Sequence, residues 1–173
     1  MTRLELLLAS DEQLTAQCEV DRYRASGPGG QHRNKTESAV RLRHKGLGIS
    51  AIGEDSRSQS ENKLHAVRRL RAAIALEVRA PVQIEAFAPS PRLAAFVAAG
   101  TAPNGAKTRV TGGYWAGIAE LLDLVVANGL EIGTSAQLLG ITTGALSKLL
   151  LHDEAVGRVL NDLRRAAGMR PLR

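Results

Sequence analysis

The chain has 173 residues, 44% of them hydrophobic, and 23 Lys and Arg against 17 Asp and Glu, a net charge of +6. That apolar content excludes a disordered polypeptide, and the length holds one domain of average size or two small ones. Aromatic residues make up only 3%, so base stacking on aromatic platforms is excluded as the main grip on a nucleic acid and electrostatics must do more of the holding.

In chain order, Met1 to Ser10 contains a short apolar stretch, but Glu5 interrupts it and Asp11-Glu12 follow, which suits neither a secretory signal nor an acid-poor presequence. No run approaches the ~18 apolar residues of a membrane span, and no membrane partner is expected. Ser10-Asp11-Glu12-Gln13 predicts a helix start, with a short helix to about Gln17 and an extended segment near Glu19 to Arg24. Cys18 is the only cysteine; it excludes an intrachain disulfide and fits a reducing, cytoplasmic setting. After a glycine-rich segment, Ala39, Val40 and Leu42 alternate with Arg41 and Arg43, and Gly46-Leu47-Gly48 leads to Ile49-Ser50-Ala51-Ile52, which predicts a hairpin with a basic outward face.

Ser58-Gln59-Ser60-Glu61 predicts a capping box, the serine oxygen and the glutamate each satisfying orphan amides. Behind it Leu64, Val67, Leu70, Ile74 and Val78 form the apolar stripe of a helix that Pro81 ends, with Lys63, Arg68, Arg69 and Arg71 largely off the stripe. Residues 81 to 88 continue as a short apolar segment, and Pro89, Pro91, Gly100, Pro103, Gly105 and Gly112-Gly113 punctuate a connector with a turn or two of helix at Arg92 to Ala98. From Tyr114 a helix carries Trp115, Ile118, Leu121, Leu122, Val125 and Val126 on one stripe and stops at Asn128-Gly129. Thr134 to Leu146 resembles a helix-turn-helix, with Ala136 at the crossing and Gly140 at the turn, and a last helix from about Asp153 to Ala167 is expected to bury Val156, Val159, Leu160 and Leu163.

The chemistry concentrates in Ser26-Gly27-Pro28-Gly29-Gly30-Gln31. Three glycines within four positions let a backbone approach another surface with no side chain in the way. Residues 22 to 71 carry twelve cations (22, 24, 33, 35, 41, 43, 45, 57, 63, 68, 69, 71) against four acids (37, 54, 55, 61), the footprint of a phosphate-rich partner. A bare Gly-Pro-Gly-Gly is a flexible turn; the flanking residues distinguish this one. Gly29 to Thr36 falls one residue short of a phosphate-binding P-loop, but Glu19 to Arg24 is too polar for the buried strand that motif needs. His32, His44, His65 and His152 show no metal-ligand spacing and read as surface or hydrogen-bonding residues; no metal or cofactor is expected.

The run from Gly27 to Leu42, followed by Gly48-Ile49, Arg57-Ser58-Gln59, Asn62 and a basic helix, resembles the catalytic domain of class I peptide-chain release factors and their short ribosome-rescue relatives, over roughly residues 10 to 80. Arg33 departs from the resemblance, since many relatives carry a small apolar residue there. The resemblance implies hydrolysis of the ester joining a nascent peptide to tRNA, in the RNA-walled peptidyl-transferase centre of the large ribosomal subunit. On it, Gly29, Gly30 and Gln31 are the catalytic candidates. The RNA-binding candidates are Arg22, Arg24, His32, Arg33, Asn34, Lys35, Arg41, Arg43, Lys45, Arg57, Gln59, Lys63 and Arg68.

The expected fold class is α+β: a release-factor-like domain over 1–88 with a long basic helix, a connector over 89–113, and an all-α helix-turn-helix-like module over 114–173. Only some 20 residues precede the glycine-rich segment, which leaves no room for codon-reading regions and points to codon-independent release on stalled ribosomes or split large subunits. The partners expected are the ribosome, peptidyl-tRNA and an unknown partner of the helical module. From Lys107 onward eight cations (107, 109, 148, 158, 164, 165, 170, 173) mix with six acids (120, 123, 131, 153, 154, 162), unlike a lysine-rich tail. Two other readings stay open: a non-catalytic ribosome- or RNA-binding factor, and a DNA-binding regulator whose recognition helix, Thr143 to Leu151, carries only Lys148 as a cation.

Overall fold

The computed structural model describes residues 1–24, 37–99 and 111–173. Among these are eight α-helices and one three-stranded antiparallel sheet, an α+β chain that divides into two compact units, Met1–Glu77 and Val78–Arg173.

The first unit opens with two short helices, α1 (Arg3–Leu8) and α2 (Asp11–Ala16), each begun by a reciprocal capping box. Thr2 Oγ1 accepts from the Glu5 amide while the Glu5 carboxylate accepts from the Thr2 amide, and Ser10 and Gln13 repeat the exchange. The α2 start is the one expected from Ser10. Helix α1 was not foreseen, although Thr2-x-x-Glu5 is itself a capping-box pattern. Strands β1 (Cys18–Tyr23), β2 (Ala39–His44) and β3 (Ser50–Gly53) lie in the order β1-β2-β3, so the expected hairpin is present as β2 and β3.

Register fixes which side chains share a face. Asp21 stands opposite Arg41, Glu19 opposite Arg43, Cys18 opposite His44 and Val20 opposite Leu42. Leu42, Val40, His44, Ala51 and Gly53 are buried on the inner face, and α3 (Gln59–Glu77) packs there against β2 and β3. A Cβ at Gly53 would lie 1.9 Å from the Asn62 carbonyl oxygen and 2.9 Å from the Ala66 nitrogen, so only glycine lets the helix come this close.

Three details of the helices differ from expectation. The α3 start is a relayed cap: Ser58 Oγ accepts from the Glu61 amide, but the Ser58 amide donates to Ser56 Oγ, whose hydroxyl in turn donates to the Glu61 carboxylate. Ser56 thus stands between the two halves of the exchange, and the glutamate reaches it instead of the backbone. Arg71, expected off the apolar stripe, is buried. It falls four residues after Val67 and three before Ile74, on the inward side, and donates to Asp11 Oδ1 at 2.8 Å and the Ala9 carbonyl at 2.7 Å. It ties the α1–α2 junction to α3. The helix itself stops at Glu77, ahead of Pro81 and with Val78 outside it.

In the second unit, α4 (Pro91–Ala98) is capped by Ser90, whose Oγ accepts from the Leu93 amide at 3.1 Å. Helix α5 (Gly112–Ala127) begins at Thr111, so Gly112-Gly113 form its first turn instead of a break. It is buried on nearly every side, from Tyr114 to Val125, because it is the central helix of its unit and not a one-striped surface helix. Gly129 and Leu130 both take positive φ, 62° and 65°, to end it. Helices α6 (Ile132–Leu138), α7 (Thr143–Leu151) and α8 (Glu154–Ala166) follow, with Gly140 at φ 68° between α6 and α7. Asp153 caps α8, and its carboxylate accepts from Tyr114 Oη at 3.4 Å. The buried side of α8 is its first half, Val156, Gly157 and Leu160; Leu163, expected to be buried, is 38% exposed in the last turns, which extend past the packed part of the helix.

Two outcomes test this packing. Gly53→Ala is expected to cost about 3 kcal/mol, as overpacking against fixed backbone does, in urea unfolding followed at the sheet. Gly48→Ala, at φ 71° in open space, is expected to cost only about 1 kcal/mol. His44 supplies the second: its Nδ1 accepts from the Leu47 amide at 3.1 Å, its Nε2 is buried with no partner among the described residues, and burial lowers its pKa. The neutral ring is therefore the folded form. Its contribution to stability is complete above the unfolded pKa of about 6.5 and is lost as pH falls from there toward the lowered folded value, where the unfolded chain binds more protons. Unfolding free energies measured between pH 7.5 and 5 are expected to fall in the wild type more than in His44→Gln.

Candidate nucleic-acid interface

The candidate catalytic residues Gly29, Gly30 and Gln31, and the candidate RNA contacts His32, Arg33, Asn34 and Lys35, lie outside the described residues, on the segment joining β1 to β2. What the structure describes is the stem that carries that segment. Tyr23 and Ala39 are its last paired residues, and beyond them Arg24 Nε stands 3.7 Å from Glu37 Oε1. Both ends of the segment are thereby brought side by side.

The returning end is fastened to α3. Gln59 Nε2 donates to the Glu37 carbonyl at 2.9 Å, and Asn62 Nδ2 donates to the Ser38 carbonyl at 2.8 Å. Asn62 is fully buried and does more: Nδ2 also donates to the Ser56 carbonyl at 2.7 Å, and Oδ1 accepts from the Ser56 amide at 2.8 Å. One side-chain amide thus holds three backbone groups from two stretches of chain. On the other flank Arg69 donates to the Ile52 carbonyl at 2.6 Å and to Asp55 Oδ1 at 2.9 Å, and that bond, with His65 3.2 Å away, lowers the Asp55 pKa despite partial burial.

The expected cations divide between two faces. Arg22, Gln59 and Lys63 line one cleft with Val20, Val40 and Ser60, on the inner side of β1 beside the start of α3. Arg41 and Arg43 point to the opposite face, where the register sets acids against them. Arg41 donates from Nε and Nη2 to Asp21 Oδ2, at 3.1 and 2.9 Å, with its guanidinium 5.9 Å from the Tyr23 ring centre, and the Tyr23 hydroxyl reaches Glu54 at 3.4 Å. The outward face expected to be basic is therefore mixed in charge. Lys45 lies at the end of β2, its amide bonded to the Gln17 carbonyl; Arg57 is exposed between β3 and α3; Arg68 is half-buried on α3.

Sequence reasoning missed the structural roles of Ser56, Glu37 and Arg69, and named Asn62 only as part of a resemblance. A signal for Asn62 was present, since an asparagine stands one turn before Ala66 on the buried side of an otherwise apolar helix face. No cluster of His, Cys, Asp or Glu able to hold a metal occurs among the described residues, and none of the described helices is long and apolar enough to cross a membrane.

Residues 12–90 match the family model of the RF-1 domain. Peptide chain release factor 2 of Buchnera aphidicola subsp. Baizongia pistaciae is 52% identical over 60 residues, 35% of this chain and 16% of that protein. Peptide chain release factor 1 of Albidiferax ferrireducens is 54% identical over 59 residues, 34% of this chain and 16% of that protein, and its counterpart in Caldicellulosiruptor bescii is 54% identical over 56 residues. The matched stretch is thus about a sixth of the length of these relatives. Over residues 12–90 the chain is similar to the catalytic domain of class I release factors.

The hub can be tested directly. Asn62→Ala is expected to cost about 3 kcal/mol in urea unfolding, because it leaves the Ser56 amide and two carbonyls without their partner. Asn62→Asp, which keeps the acceptor and loses the donors, is expected to be comparably damaging, whereas Gln59→Ala, at a half-exposed site, is expected to cost under about 1 kcal/mol.

Proposed function

We propose that this protein hydrolyses the peptidyl-tRNA ester in the peptidyl-transferase centre without reading a codon, on stalled ribosomes or on split large subunits. The observation that carries the reading is the Gly29-Gly30-Gln31 triplet inside a stretch matched to the RF-1 domain, on the segment whose two ends are held together by Arg24, Glu37, Gln59 and Asn62. Water attacks the ester carbonyl carbon, a tetrahedral oxyanion forms, the bond to the ribose oxygen breaks, and that oxygen takes up a proton. A backbone amide fixed on the oxyanion is worth about 3 kcal/mol, and the Gln31 N–H is the donor assigned here. The Gln31 side-chain amide both donates and accepts, which suits it to orient the water. Protons are managed by substrate ribose and ribosomal RNA, so no charged general base is required of the protein. Gly29 and Gly30 keep the tip free of Cβ atoms in an RNA-walled pocket.

The helices of the second unit, with α6 and α7 as a helix-turn-helix-like pair, are read as a module that contacts protein or ribosome. Lys148 is the one cation of α7, too few for phosphate neutralisation on DNA. Among the cations of this module, Arg164 is committed internally, to the Leu130 and Arg170 carbonyls, while Arg165 pairs with Asp162. The setting that fits this activity is the cytoplasm.

Release of labelled peptide from ribosomes carrying messages with and without a stop codon tests the reading: equal rates on both are expected. Gly30→Ala should abolish release, and Gln31→Ala should reduce it less, since the amide survives. Small and equal losses from both would overturn the division of labour, and purified large subunits releasing as fast as whole stalled ribosomes would identify the split subunit as substrate.

A further inference from the structure

On the inner face of the sheet, Leu42 and Val40 are covered by α3, yet Val20, directly opposite Leu42 on β1, is 42% exposed. Helix α3 packs on β2 and β3, and the edge strand β1 projects past it. The gap left is a cleft of about 280 Å³ lined by Val20, Arg22, Val40, Gln59, Ser60 and Lys63. Two of those residues are cations and none is an acid. Gln59 and Ser60 are the first two residues of a 19-residue helix, so its N-terminal field adds to the cationic charge. Gln59 spends its Nε2 on the Glu37 carbonyl, which leaves Oε1 as an acceptor.

We propose that this cleft binds one nucleotide of single-stranded RNA, its phosphate between Arg22 and Lys63 and its base against the exposed Val20 side chain. The inference rests on the ribosomal reading for its choice of polyanion, and on the cleft for everything else. A phosphodiester meets two cations and a helix start, and an unstacked base meets aliphatic surface, which takes the place of the aromatic platform this chain lacks. The volume is just under the ~300–1,000 Å³ of typical small-molecule pockets, room for a single base. Arg22 lies two residues before Arg24, at the stem.

The experiment is a titration of the full chain, labelled with ¹⁵N and ¹³C-methyl groups, with pentauridylate, and in parallel with a pentaglutamate peptide as an anion without bases. Saturable shifts of the Val20 methyls and the Gln59 and Ser60 amides are expected with the RNA and not with the peptide. Val20→Asp, at an exposed site, should weaken RNA binding tenfold or more, and the pair Arg22→Ala with Lys63→Ala should also flatten the slope of log K against log salt by about 0.7, the value for one phosphate of a single strand. Equal responses to the peptide, which would mark β1 as a docking edge for an acidic strand, would overturn the proposal, as would shifts confined to Arg41 and Arg43. A chain that releases peptide without these shifts refutes the cleft and spares the hydrolase reading; shifts in a chain that never releases peptide do the reverse.

Discussion

The first unit depends on one buried carboxamide. Its described residues form three strands and one long helix, with little apolar surface for holding loops, and Asn62 does that work by hydrogen bonds in a place water does not reach. In such surroundings each bond is electrostatically stronger than in water, and each lost bond exposes a group with no substitute partner. Gly53 is the other half of the arrangement, because the Asn62 carbonyl occupies the space that a side chain on β3 would need. The distance between sheet and helix, and with it the position of Ser38, is set by that contact.

This has a bearing on the residues that join β1 to β2. Here the departing end is the terminus of an edge strand and the returning end is bonded through the Glu37 and Ser38 carbonyls to the first turn of α3. The cations around it are used unevenly. Arg41 and Arg69 are engaged by acids, Arg71 is buried as a structural tie, and Arg22 and Lys63 face a cleft without acids. An exposed pair such as Arg41 and Asp21 contributes little to stability, and a phosphate arriving there has a carboxylate to displace.

Much of the first unit was legible in the sequence because its elements carry local signatures: Ser10 starts a helix, alternation around Gly46 and Gly48 makes a hairpin, and Ser58 begins α3. The failures share one cause, which is that burial is decided by what lies opposite. Arg71 has the spacing of a core residue and the chemistry of a surface one; spacing prevailed because Asp11 and the Ala9 carbonyl were there to receive it. The basic outward face was read from β2 alone, and only the pairing with β1 brings Asp21 and Glu19 opposite. In the second unit, α5 gave one apolar stripe on paper but is enclosed nearly all round, and Leu163 continues a stripe past the point where anything covers it.

Cys18, the chain's single thiol, sits on the inner face of β1 opposite His44 and donates to the Leu14 carbonyl at 3.2 Å, with burial raising its pKa. A protonated, enclosed sulfur reacts with disulfide reagents only when its cover lifts. The rate at which such a reagent labels the protein is accordingly a clock for the separation of α2 from the sheet, read without adding any second cysteine.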